Sequence, residues 1–158
     1  MHPLRRLLRH WRTPRATGTR TFPPATLRDI KNLIDSGATM HRAHLHVAIE
    51  TNLPMTAILR RDSSRQRACR LFSTHHLWDT TERTGVLIYL NLADRQVEIV
   101  ADHGVSSVLN SAQWSDLCHQ ITQGFADGRF HIAMLDALQT LNLALQKQLP
   151  RERTDSIP

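Results

Sequence analysis

Four side chains in this sequence have the types that could share one job: Asp79 and Glu82 in "WDTTERTG", Asp102 in "VADHG", and His41 in "HRAHLH". Carboxylates from separate segments are the usual ligands of a hard divalent ion such as calcium, and a histidine among them admits a softer one such as zinc. Such an ion would polarise a phosphate and lower the pKa of a bound water, the chemistry of a metal-dependent phosphoester hydrolase. The spacing matches no ligand signature of the HExxH kind, nor is there a phosphate-cradling glycine loop, a GxSxG elbow or a cysteine phosphatase motif. The chemistry therefore depends on whether the fold brings the four together.

The elements that must do so follow from apolar periodicity. "FPPATLRDIKNLIDSG" predicts a helix with a Thr26 to Asp29 capping box and a stop at Gly37. "LHVAIE", residues 45–50, predicts a strand, and residues 64–78 predict a second helix with Ala68, Leu71, Phe72 and His75 inward. "GVLIYLNLADRQVEIVADHG" predicts a hairpin whose tight link is "ADRQ". Two further helices follow, one with Trp114, Leu117, Cys118, Ile121 and Phe125 on a stripe, the other with Met134, Leu138, Leu141 and Leu145 as its seam. A strand, helix, strand order calls for a right-handed crossover, so 45–50 should run parallel to 86–92 and 97–101 antiparallel to it.

The expected fold is a single-domain α/β/α sandwich with a small mixed sheet, in the order α-β-α-β-β-α-α. That geometry separates two aspartates. Asp94 belongs to the turn, where its side chain caps backbone, whereas Asp102 lies at the hairpin's open end, roughly 20 Å away at about 3.3 Å per strand residue. The open end is also where Asp79, Glu82, His41, His44 and His46 should gather.

The chain has 158 residues, 41% of them apolar, enough for one core and too few for two. No apolar run approaches the roughly 18 residues that a spanning helix needs, and arginines interrupt the start too often for an export signal. The expected location is the cytoplasm, including the inner face of the membrane. Cys69 and Cys118 are expected as reduced core thiols. The net charge of +6 comes almost wholly from arginine. Arg5, Arg6, Arg9, Arg12, Arg15 and Arg20 interleave with Leu4, Leu7, Leu8 and Trp11, a pattern that suits a short cationic helix on anionic lipid or a disordered arm docked on the domain. Nucleic acid is the weakest partner, because no aromatic platform accompanies the charge. The organisation expected is a basic leader over 1–22, one domain over 23–149, and a loose tail over 150–158.

The run "WDTTERTGVLIYLNLADRQVEIVADHGV", followed by "FADGRFHIAMLDALQTL", resembles the TPM domain family over roughly residues 40 to 146, and is similar to short bacterial members with an arginine-rich leader. The resemblance implies an α/β/α sandwich and, in some members, binding of calcium or another divalent ion, with an acid phosphatase activity proposed for the plant lumenal branch. Other members act in membrane-protein repair or receptor assembly, where binding is the job. Asp79, Gly85, Asp94, Arg95, Asp102, Gly104 and His41 fit recurring positions of the bacterial pattern. His44 stands where relatives tend to have a glutamate, and an acid near Gly37 and Ala38 is missing, which weakens a calcium site. The function expected is thus a non-catalytic TPM-type binding or assembly domain, working at a membrane protein or an anionic membrane surface through its leader. A divalent ion, calcium or zinc, would be held by Asp79, Asp102, His41 and Glu82. The alternatives are a metal-dependent acid phosphatase and, behind it, a nucleic-acid binder.

Overall fold

The computed structural model describes residues 21–51 and 62–152. The leader up to residue 20 and the tail from residue 153 lie outside the described residues, and so does the connection 52–61.

The elements run α1 (Pro24–Met40), β1 (His44–Glu50), α2 (Ser64–Thr74), β2 (Gly85–Asn91), β3 (Gln96–Ala101), α3 (His103–Ser106), α4 (Ser111–Ala126) and α5 (Phe130–Gln148). The sheet order is β1-β2-β3. β1 runs parallel to β2, with His44 opposite Gly85 and Glu50 opposite Asn91. β3 runs antiparallel to β2, with Val86 opposite Ala101 and Asn91 opposite Gln96. The mixed sheet and its pairing are those that crossover handedness and the short hairpin link predict.

Every residue of β2 is buried because helices cover both faces of the central strand. Val86, Ile88 and Leu90 join the larger core, with Ile30 of α1, Leu117 and Ile121 of α4, and Met134, Leu138, Leu141 and Leu145 of α5. Leu87 and Tyr89 alternate to the other face and meet Ala68 and Phe72 of α2. Phe22, Phe125 and Phe130 pack edge to face where α1, α4 and α5 meet. Among the described residues no helix is long and apolar enough to cross a membrane.

Local details depart from the sequence reading in instructive ways. α1 starts at Pro24 with Pro23 as its cap and no side-chain capping bond, since proline at the first helical position already has the required φ. Thr26 is instead buried, its hydroxyl 2.8 Å from Nδ1 of His131. Gly37 does not stop the helix. It lies buried inside α1, which continues to Met40. α2 opens with a capping box between Ser63 and Gln66 but ends at Thr74. The chain turns there through His76, whose φ is 52°. Cys69 is exposed, because Ala68 and Phe72 take the inward face of α2, so it is not a core thiol. Cys118 is half-buried, and burial followed by the charge of Glu98 pushes its thiol pKa up. α3 is a single turn that periodicity could not show.

Candidate functional site

The two ends of the sheet carry different polar chemistry. At the amino-terminal end of β1 and β2 the loop between α2 and β2 meets the exit of β3. His44 N–H donates to the carbonyl of Thr84, and Thr84 Oγ1 donates to the carbonyl of Arg42. Asp102 N–H donates to Gly85, and Gly104 N–H to Arg83. A Cβ on Gly85 would strike the carbonyl oxygen of Leu77, and one on Gly104 that of Glu82. Both glycines are therefore demanded by backbone packing, which explains two positions of the family pattern without a ligand.

Asp79, Glu82 and Asp102 do come to this end, as the topology requires, but each has its own surroundings. Asp102 caps α3, accepting from His103 N–H at 2.7 Å. The same oxygen, Oδ1, lies 3.4 Å from Nε of Arg83. Its other oxygen, Oδ2, is buried with no hydrogen-bond partner among the described residues. Glu82 is exposed and bonds Arg42 at 2.5 Å. Asp79 is exposed and uses its backbone N–H to close the turn onto His76.

His41 follows α1 and is buried against α5, where Nε2 is 3.0 Å from Oδ1 of Asn142. Asn142 in turn donates to the carbonyl of Leu33. Burial holds His41 below the ordinary imidazole pKa, against the opposing effect of the Asn142 bond. His41 also pairs with Pro150, and Arg151 N–H donates to Met40, which ties the end of the domain to the start of β1. The histidine thus serves a joint between helices. Among the described residues no three histidine, cysteine or acidic side chains stand together as a metal's ligands would.

The carboxyl-terminal end of β1 and β2 holds a polar network that the sequence reading missed. Glu50 accepts from Arg67 of α2 at 2.6 Å and 3.1 Å, and from the hydroxyl of Tyr89 at 2.8 Å. Both partners of the ion pair are about four-fifths buried, with side-chain exposures of 21% and 19%. Burial, then the charge of Glu50, raises the Tyr89 pKa far above its ordinary value. The Glu50 bond, more than offsetting burial, raises that of Arg67. One step away, Asn91 donates to Ser64 at 3.1 Å and to Asp94 Oδ2 at 3.0 Å, while its own Oδ1 caps Asp94 N–H at 3.1 Å. Ser64 donates on to Gln96. Asp94 therefore belongs to the turn, as expected, although the capping oxygen is supplied by Asn91. Asp62, also buried, pairs with Arg70 at 3.1 Å. A polar residue ending an otherwise apolar strand, as Asn91 does in "GVLIYLN", was the available signal for this network.

A three-layer α/β domain with a short mixed sheet, polar at both ends and sealed by helices, defines the class of protein. The profile of the TPM domain matches residues 17–144, and the chain belongs to that family. Among solved structures it is similar to the BA42 protein of the psychrophilic bacterium Bizionia argentinensis, at 22% identity and a TM-score of 0.71, covering 85% of this chain and 89% of that one. It is also similar to the N-terminal domain of a protein from P. gingivalis, at 14% identity and a TM-score of 0.67, covering 80% and 77%. At these identities the likeness concerns the fold. No curated protein matches the chain.

Proposed function

We propose that this chain is a non-catalytic binding and assembly domain of the TPM type, which works at the cytoplasmic face of a membrane, on a membrane protein or on anionic lipid, with its arginine-rich leader as the contact. The observation that carries the non-catalytic part is the commitment of the acids and bases. Glu50 is held by Arg67 and Tyr89, Glu82 by Arg42, Oδ1 of Asp102 by Arg83 and the turn of α3, and His41 by Asn142. A hydrolase needs a nucleophile and a base converging on one reacting atom, and these groups point into pairs of their own. The leader supplies the membrane part: each arginine near an anionic surface contributes about 1 kcal/mol.

A divalent ion at the amino-terminal end of the sheet is a second reading, favoured by the buried, unbonded Oδ2 of Asp102. Among the described residues it rests on that oxygen and on exposed Asp79, since Glu82 faces Arg42 and Nε2 of His41 faces Asn142. The residues present do not form a full ligand set, and they support no hydrolytic step.

The test is an assay of the full chain on a chromogenic phosphomonoester across acid and neutral pH, with calcium, magnesium, zinc or chelator, beside melting curves under the same conditions. The proposal expects no turnover above the metal-only background. Turnover that disappears in Asp102→Asn would establish the hydrolase instead. A calcium-dependent rise in melting temperature lost in Asp102→Asn, without turnover, would support the ion and leave the binding role standing.

A further inference from the structure

His46 and His75 come from different elements, and their rings meet at a tilt. His46 lies on the side of β1 that Ala48 presents to α2, and His75 is the residue that caps the carboxyl end of α2. Their ring centroids are 4.3 Å apart, with the planes inclined by 36°. Neither ring has a hydrogen bond or an ion pair among the described residues, so each neutral imidazole keeps a free nitrogen lone pair. Burial and then the charge of His75 hold the His46 pKa below the ordinary imidazole value.

We propose that His46 and His75 form a binding site for a borderline transition-metal ion such as zinc, with water completing its coordination. Three features support it. Imidazole nitrogen is a preferred ligand of zinc, copper and nickel and a poor one of calcium or magnesium. The ion would sit at the carboxyl end of an α-helix of 11 residues, whose dipole gives a negative potential that favours a cation. The half-buried position of His46 keeps that ring in the neutral form that metals bind. His44, on the same face of β1 about 7 Å further along, stays outside the pair. The site differs from the Asp102 edge in residues and in ion preference.

The test uses the full chain without an affinity tag and zinc as the probe. In a titration followed by the ring proton signals of the histidines, those of His46 and His75 should shift or broaden together, at lower zinc than any other histidine. His75→Gln, at an exposed position, should keep the metal-free melting temperature and weaken zinc binding at least about tenfold. His46→Gln should do the same to zinc binding, and calcium should not displace the ion. Asp102→Asn should leave zinc affinity unchanged, which separates this site from any ion at the other carboxylates. Undiminished zinc binding in His75→Gln, or first shifts at another histidine, would overturn the assignment.

Discussion

The two ends of the sheet receive similar numbers of charged groups and treat them differently. At the carboxyl end of β1 and β2, Glu50, Arg67 and Tyr89 interlock beneath α2, and Asn91 links Ser64 to Asp94. At the amino end the pairs are more open: the side chains of Arg42 and Glu82 are 42% and 45% exposed, and Arg83 is 66% exposed although the Asp102 it meets is 8% exposed. Burial decides what these pairs are worth. An exposed pair gains little because water screens it, whereas breaking a buried pair leaves a charge without solvent or partner. The buried end holds α2 against the sheet, and the exposed end holds only a loop.

Breaking the buried end should have the largest effect. Glu50→Gln removes the charge that Arg67 faces and should cost about 3 kcal/mol, the low end for a buried pair because a fifth of each side chain stays exposed, read from the urea midpoint and slope. Glu82→Gln, the matching change at the exposed end, should cost under about 1 kcal/mol. Equal costs would erase the distinction between the ends.

The histidine joint adds a pH dependence of defined sign. Burial depresses the His41 pKa below the ordinary 6.5, so below that pH the unfolded chain takes up a proton that the folded one refuses. Its contribution is intact above 6.5 and declines as the pH falls below it; His46, depressed for the same first reason, acts in the same direction. Urea midpoints measured from pH 7.5 to 5 should fall, and His41→Gln should flatten the slope.

The smallest effects lie in the hairpin turn. Arg95 is exposed with a φ of 52°, a conformation that costs a side-chain-bearing residue about 1 kcal/mol, so Arg95→Gly should raise the stability by at most about that amount, less the backbone entropy that glycine loses on folding. Asp94→Asn should be milder still, because the amide keeps an oxygen for the Asn91 donor. A large loss in Asp94→Asn would mean that the turn does more than reverse the chain.

The architecture was legible because its signals are local: period-2 runs for β2 and β3, stripes on α4 and α5, and a handedness rule for the crossover. Convergence of Asp79, Glu82 and Asp102 at one end followed from the topology. What each acid faces did not, because Arg42 and Arg83 look like any other arginines of a basic chain until the loop returns beside β1. The partner of His41 is hidden for the same reason, since Asn142 is far away in sequence and reads as a polar interruption of a helix seam. The Glu50, Arg67 and Tyr89 network is also non-local. It joins a strand end, a helix and a tyrosine that reads as plain core.

Binding through the basic leader is decided by co-sedimentation with vesicles. The full chain and a chain starting at Thr21, which keeps the whole core described above, would be compared on phosphatidylserine-containing and neutral vesicles at low and high salt. The full chain should sediment with the anionic vesicles at low salt and be released by salt, while the shortened chain stays folded and in solution. Equal sedimentation of the two chains would contradict a role for the leader.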